Sequence, residues 1–150
     1  TATGRKGQYD GVNSWLTYTM GLTGPFDFAS PYGDTDATVR AELASPAIGN
    51  FASHRTSTEG ENFRGSTDRY FLRVHTIRSY TTWQDIEGWV ASARQHNSYV
   101  ILVLHEQLAF PPVGGYDNTP ANLNAFLDTA QRSGIAILTN KDALAEIAYQ

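Results

Sequence analysis

Cysteine is absent from all 150 residues of the chain. Without thiols the protein can form neither disulfides nor thiolate metal sites, so both are excluded. Long apolar runs are also missing, because the most apolar stretch, Val100–Leu104, is far shorter than the roughly 20 residues of a membrane-spanning helix. No secretory signal peptide is recognisable. The first residue is Thr1 rather than Met, so we expect further residues upstream of this sequence.

Positive charge is scarce as well. Eleven Lys and Arg residues face fifteen Asp and Glu residues, which gives a formal net charge of -4. Nucleic acids and anionic membranes favour a basic face, so neither is expected as a partner, whereas a neutral carbohydrate is compatible with this charge. Hydrophobic residues make up 41% and charged residues 17%, which is typical of a globular domain rather than a disordered chain.

Several catalytic signatures are missing from the sequence: the G-x-S-x-G elbow, a phosphate-binding glycine loop and the H-E-x-x-H helix. Aromatic residues account for 12% of the chain and mostly fall at core spacing. Trp83 and the tyrosines could stack on sugar rings, although packing is the favoured interpretation.

Short apolar segments alternate with amphipathic helices along the chain. We predict a tail or loop over residues 1–12, and over residues 13–22 either a short helix or an irregular segment. Strands are predicted at residues 26–29, 50–53, 70–77, 99–104 and 135–138. Helices are predicted to start at Asp34 or Thr35, at Thr81 or Thr82, at Thr119-Pro120 and at Asn140. This alternation predicts one α/β domain, 1–150, with parallel strands and helical crossovers.

Three of the four histidines stand at or just after a predicted strand: His54, His75 and His105. Active sites of β/α folds gather at the carboxyl ends of the strands. His105 is the most informative, because it directly follows the apolar run Val100–Leu104 and an imidazole can act as acid or base near neutral pH. A single histidine there is equally compatible with a structural role. Together the three imidazoles could bind a metal, although they lack local ligand spacing.

The chain contains, in this order, the segments Phe28–Asp34, 53–62, Ile101–Glu106, 116–120 and 134–139. Together they resemble the polysaccharide deacetylases, carbohydrate esterase family 4, also called the NodB-homology domain. Phe28–Asp34 resembles the third motif of that family. Residues 53–62 resemble a stretch that follows this motif in many bacterial members. Ile101–Glu106 resembles the fifth motif, in which an apolar strand ends in the catalytic histidine. Residues 116–120 and 134–139 resemble the family's C-terminal end, so the resemblance covers residues 26–150.

The resemblance implies a partial distorted (β/α) barrel and the hydrolysis of acetyl groups from N-acetylglucosamine polymers, peptidoglycan or acetylated xylan. His105 would be the general acid, and the backbone N–H of Tyr32 would bind the oxyanion. Five residues would bind the substrate. Pro31 and Gly33 would shape the loop around Tyr32, and Arg55 would replace the charge of the arginine that the third motif lacks. Leu102 and Leu104 would line the floor of the acetyl pocket. Secretion or a cell-surface location, and a carbohydrate polymer as partner, follow from the family's substrates.

The sequence departs from the family where the metal is concerned. A divalent metal such as zinc is expected for the complete family domain, but the motifs that carry its ligands and the catalytic base, of T-F-D-D-G and H-x-x-x-H type, are absent here. The third motif has Ala29 in place of arginine, and the fourth is not recognisable. We therefore expect the chain alone to be inactive, and its open strand edges to be covered by a missing N-terminal segment or an oligomer partner.

A second class of function stays open at this point. Loss of the metal-binding motifs is also how a non-catalytic carbohydrate-binding or structural module would arise from the same fold.

Overall fold

The computed structural model describes residues 2–105, 115–116 and 118–148. These residues form two compact units. The N-terminal unit extends to Ser57 and also contains Thr67–Leu72. The C-terminal unit contains Thr58–Ser66 and the described residues from Arg73 onward. No helix within the described part of the chain has the length and apolar character needed to cross a membrane.

The N-terminal unit contains two helices and two parallel strands. Its elements are helix α1 (Ala2–Ser14), a π-helical turn (Trp15–Thr19), strand β1 (Asp27–Ala29), a 3-10 turn (Pro31–Gly33), helix α2 (Ala37–Ala44) and the first part of strand β2 (Ser53–Glu59). β1 pairs with β2 in parallel, with Asp27 opposite Ser53. The Asp36 carboxylate caps α2 by accepting a 2.8 Å hydrogen bond from the Val39 N–H, close to the predicted start.

Helix α1 occupies the segment that the sequence predicts to be a tail or loop, so that prediction is wrong. Three glycines lower its intrinsic helix propensity, but tertiary contacts outweigh propensity. Tyr9 is buried with Leu43 and Phe51. The guanidinium of Arg5 donates two hydrogen bonds, of 2.7 and 2.8 Å, to the carboxylate of Glu42. These contacts join α1 to α2 and to the segment that precedes β2.

The C-terminal unit alternates strands and helices. After the end of β2 it contains strand β3 (Asn62–Phe63), strand β4 (Leu72–Thr76, whose first residue belongs to the N-terminal unit), helix α3 (Trp83–His96), strands β5 (Ser98–Tyr99) and β6 (Leu102–Val103), and helices α4 (Pro120–Ser133) and α5 (Asn140–Ala148). β4 pairs with β6 in parallel, with His75 opposite Leu102. β3 pairs with β5 in antiparallel fashion. The parallel strands are hydrogen-bonded in the order β1, β2, β4, β6.

The predicted starts of α3 and α4 are confirmed by their caps. Thr82 and Asp85 form a reciprocal capping box at α3. Thr119 accepts a hydrogen bond from the Asn122 N–H at α4, and Gly134 ends that helix at φ 66°. Glycine suits this left-handed position because it has no Cβ. The inward face of α3 is formed by Ile86 and Val90.

Three strand predictions are wrong. Of the predicted strand 50–53 only Ser53 lies in a strand, because β2 begins there and covers part of the segment predicted as a loop from His54 to Thr67. Residues 99–104 are divided into β5 and β6, which pair with different partners. Residues 135–138 lie outside any strand, and Ile137 is 69% exposed. Apolar runs of this length predict burial rather than a hydrogen-bonding partner, which is why they overpredict strands.

The fold is therefore mixed α/β with parallel strands and helical connections, as the sequence predicts. This arrangement is compatible with part of an α/β barrel. It places polar side chains from several strands at their carboxyl ends.

Candidate functional site

Polar side chains of the C-terminal unit meet where three parallel strands end. Glu59 is the last residue of β2, His75 and Arg78 stand at and just after the end of β4, and His105 follows β6. Tyr116 joins them from a loop that is anchored by a 3.1 Å hydrogen bond from the Ser79 N–H to the Gly115 carbonyl. We call these residues the strand-end cluster: Glu59, His75, Arg78, His105 and Tyr116.

Glu59 organises one side of the strand-end cluster. Both of its carboxylate oxygens lie 3.3 Å from the Thr76 N–H, which donates to them. Oε2 lies 3.6 Å from Nδ1 of His75, and Oε1 lies 3.9 Å from a terminal nitrogen of Arg78. The Glu59 side chain is 50% exposed, so solvent screens these charge interactions and they contribute little to stability. Their effect is to orient His75 and Arg78.

Tyr116 connects Arg78 to His105. The guanidinium carbon of Arg78 lies 4.7 Å from the centre of the Tyr116 ring, within the range of a cation–π interaction. The ring centres of Tyr116 and His105 lie 5.0 Å apart at an interplanar angle of 53°. A hydrogen bond with the Tyr116 side chain is the main cause that raises the pKa of Arg78. The exposed imidazole of His105 therefore lies beside a tyrosine ring that also contacts the guanidinium of Arg78.

His75 is the least accessible member of the cluster. Its side chain is 14% exposed and stacks on Trp89, with ring centres 4.3 Å apart and planes within 10°. Burial lowers the pKa of His75, and the nearby carboxylates of Glu59 and Glu61 only partly offset this effect. Its Nε2 is buried and has no hydrogen-bond partner among the residues that the structure describes. A neutral imidazole is the form that such surroundings favour.

The turn after β1 in the N-terminal unit carries an unusual backbone conformation. Tyr32 has φ 57° and ψ 9°, which is left-handed and uncommon for a residue other than glycine, and its side chain is fully exposed. Gly33 follows at φ 71°, and a Cβ there would collide with the side chain of Ser57. Strained residues of this kind cluster at functional sites. Pro31, Tyr32 and Gly33 thus form a tight, outward-facing loop, where the resemblance expects the oxyanion-binding turn.

His54 belongs to a closed polar centre rather than to an open site. Its imidazole is fully buried, its Nε2 lies 2.7 Å from Oγ of Ser30, and its Nδ1 lies 3.0 Å from the Tyr70 carbonyl oxygen. Because the carbonyl can only accept, Nδ1 carries the proton and Nε2 accepts from the Ser30 hydroxyl. Burial is the main cause that lowers the pKa of His54. Both ring nitrogens are occupied, so the hypothesis of a metal site that includes His54 is wrong.

The remaining predicted site residues lie in two places. Arg55 is on β2 opposite Ala29, and burial lowers its pKa. Leu102 and Leu104 line an apolar cavity of about 580 Å³ in the C-terminal unit, together with residues of α3 and α4. The N-terminal unit therefore holds Pro31, Tyr32, Gly33 and Arg55, and the C-terminal unit holds Leu102, Leu104 and His105. Glu106 and Asp117, which belong to the segments resembling the family, lie outside the described residues.

Sequence reasoning missed three members of the strand-end cluster. Glu59 falls in a segment predicted to be a loop, because β2 is polar throughout. Arg78 stands two residues beyond β4, and Tyr116 lies in a Pro/Gly-rich connection. Their position could have identified them, because each residue lies at or near the carboxyl end of a parallel strand, where active sites of such folds gather.

The described residues contain no group of three or more His, Asp, Glu or Cys side chains placed to hold a metal ion. The resemblance places the ligands of its metal in motifs that this sequence lacks, so we derive no metal-dependent step.

Comparison with known proteins adds no relative. No family model matches the sequence, no curated protein matches it, and no solved structure matches the fold significantly.

Proposed function

We propose that this chain supplies the general acid and the oxyanion-binding turn of a polysaccharide deacetylase-type hydrolase. Its substrates would be N-acetylglucosamine polymers or acetylated xylan. The observation that carries the proposal is the strand-end cluster, in which an exposed histidine follows a parallel strand and is held by an Arg78–Tyr116 pair. The ordered resemblance of residues 26–150 to that family selects the reaction.

The proposed role of His105 is proton delivery. When the tetrahedral intermediate collapses, the carbon–nitrogen or carbon–oxygen bond to the sugar breaks, and the leaving atom takes its electron pair. An imidazolium at His105 gives its proton to that atom, which releases a neutral amine or alcohol. Tyr116 limits the orientations of the imidazole, and the pairing of Tyr116 with Arg78 keeps the ring in place. A proton donor that is held in the reactive orientation accelerates the reaction more than the same donor on a freely rotating side chain.

The proposed role of the Tyr32 turn is to bind the oxyanion. A donor that is fixed before reaction stabilises the developing charge without reorganisation. Gly33 is needed for this geometry because its φ of 71° and its contact with Ser57 leave no room for a side chain. The general base and the metal that the family uses belong to motifs absent from this sequence, so we assign neither to a residue of this chain.

The test is a deacetylation assay on the protein expressed from its complete gene, with the substitution His105→Gln. Glutamine keeps the size and polarity of the side chain but cannot deliver a proton at neutral pH. We expect kcat to fall by about 10²- to 10⁴-fold, the range for loss of a general acid. The affinity for non-hydrolysable chitooligosaccharide should change little. His96→Gln is the matched control, because His96 is also exposed but lies at the end of α3.

Three other outcomes contradict the proposal in different ways. Unchanged turnover in His105→Gln would exclude a general-acid role. Turnover by this chain alone would mean that the metal-site and base motifs are not needed. Binding of sugar without any turnover by the complete protein would favour the alternative, a carbohydrate-binding module, whose contacts would include the exposed ring of Tyr32.

A further inference from the structure

The apolar cavity of the C-terminal unit is large enough for a ligand. Its volume of about 580 Å³ lies within the roughly 300–1,000 Å³ of small-molecule sites. Helices α3, α4 and α5 and the segment around β6 form its walls. Trp89, Val90, Phe126 and Ala130 are among its apolar lining residues. Well-packed protein interiors contain few voids much larger than a water molecule, so packing alone does not account for this space.

One N–H group of an arginine in the cavity wall lacks an acceptor among the described residues. Arg64 lines the cavity, and its terminal nitrogen donates a 3.0 Å hydrogen bond to the Glu146 carbonyl oxygen. Its Nε is buried and has no hydrogen-bond partner in the described part of the chain. A buried guanidinium N–H without an acceptor costs more than a neutral group in the same position, because charged donors lose more on desolvation. A ligand carboxylate would satisfy it.

The charges around the cavity also favour an anionic head group. Two arginines, Arg64 and Arg94, line it against one carboxylate, that of Glu146. The Glu146 side chain is exposed to solvent, whereas Arg64 is partly buried. Arg94 is exposed and its unpaired donors can reach solvent, whereas the Nε of Arg64 is buried without an acceptor among the described residues.

We propose that this cavity binds an aliphatic monocarboxylate. The alkyl chain of the ligand would lie among the apolar side chains, and its carboxylate would accept a hydrogen bond from Nε of Arg64. The arginine fork recognises a carboxylate better than a single-point charge does, because its N–H groups lie in one plane. The site is separate from the strand-end cluster and does not depend on the proposed function. Only Leu102 and Leu104 of the predicted substrate-binding residues line it.

The test is isothermal titration calorimetry of the protein at pH 7.5 with octanoate, and with 1-octanol as the probe without charge. We expect octanoate to bind at least tenfold more tightly than octanol. Arg64→Gln should lower octanoate affinity about tenfold and leave octanol unchanged. Arg64→Lys keeps the charge but loses the fork, so we expect an intermediate affinity.

A substitution that fills the cavity provides a second test of the proposal. Ala130 is 1% exposed and lines the cavity, so Ala130→Leu should weaken both probes. Each variant is first checked for an unchanged unfolding midpoint, and Arg64→Lys replaces Arg64→Gln if the latter is unfolded. Equal affinity for octanoate and octanol would overturn the role of Arg64. If neither octanoate nor octanol bound, the proposal of a ligand site in this cavity would be wrong.

Discussion

The two units place histidines at similar points of the sequence pattern but in opposite surroundings. In the N-terminal unit, His54 lies on β2 with both ring nitrogens occupied by Ser30 and Tyr70 and with no exposed surface. In the C-terminal unit, His105 follows β6, is exposed, and contacts Tyr116. The comparison teaches that two histidines with similar positions in the sequence pattern can differ completely in burial, one being enclosed and the other exposed to solvent. Burial and hydrogen-bond partners decide the role of the residue.

The largest effect on stability should come from breaking the closed centre. His54→Ala removes a fully buried ring and leaves the Ser30 hydroxyl and the Tyr70 carbonyl without their partner. We expect a loss of about 4 kcal/mol in the free energy of unfolding, from the new cavity and the unsatisfied groups together. Urea unfolding measures it. A loss below about 1 kcal/mol would mean that the centre is not closed.

The next effect compares two glycines with similar backbone angles. Gly33, at φ 71°, faces the side chain of Ser57, whereas Gly65, at φ 74°, has no neighbour that a Cβ would touch. We expect Gly33→Ala to cost about 3 kcal/mol, from backbone strain plus overpacking, and Gly65→Ala about 1 kcal/mol, from strain alone. Chemical unfolding of both variants gives the difference. Equal losses would show that the turn at Tyr32 is not held by Ser57.

The pH dependence of stability should be smaller and should involve both units. Burial lowers the pKa of His54 and of His75 below the ordinary value of 6.5. In the unfolded chain both imidazoles take up protons as the pH falls below 6.5, while in the folded chain they resist protonation. The stabilising contribution is therefore complete above pH 6.5 and is lost as the pH falls towards the folded pKa values.

Urea unfolding between pH 8 and pH 5 measures this dependence. His75→Gln should reduce the slope of stability against pH, because it removes one of the two groups. His96→Gln serves as the control, since His96 lies exposed at the end of α3. A slope that is unaffected by His75→Gln would contradict the burial of a neutral imidazole there.

The smallest effect is expected at the open cluster. Tyr116→Phe keeps the ring beside His105 but removes the hydroxyl that interacts with Arg78. Surface substitutions usually change stability by less than about 0.5 kcal/mol, and we expect no more here. If the proposed deacetylase function holds, turnover should fall only a fewfold, because the ring contact remains. A loss as large as that of His105→Gln would show that the hydroxyl itself takes part in the chemistry.

The sequence predicts those elements whose signals are local. Thr82 and Thr119 start helices because their side chains bond to nearby N–H groups, and Gly134 ends one because its φ is positive. Such contacts lie within a few residues of each other, so the pattern contains them. The position of His105 after an apolar run is a local signal too.

The errors arise where distant contacts outweigh local preference. Helix α1 is rich in glycine and forms because Arg5 and Tyr9 bond to and pack against residues more than thirty positions away. β2 has a polar sequence, yet Ser53, His54 and Thr56 in its first half are buried, because each has a hydrogen-bond partner distant in the sequence. Glu59, Arg78 and Tyr116 come together only when the strands are in place, and no spacing in the chain predicts that meeting.

The contrast between the closed and the open histidine can be measured without a substrate. Carbethoxylation by diethylpyrocarbonate, followed at each histidine by peptide mass spectrometry, reports whether an imidazole nitrogen is accessible. We predict that His105 reacts about as fast as the exposed His96, and that His54 stays unmodified until urea unfolds the protein. If His54 reacted as fast as His105 in the folded protein, the distinction between a closed polar centre and an open, solvent-exposed histidine would be wrong.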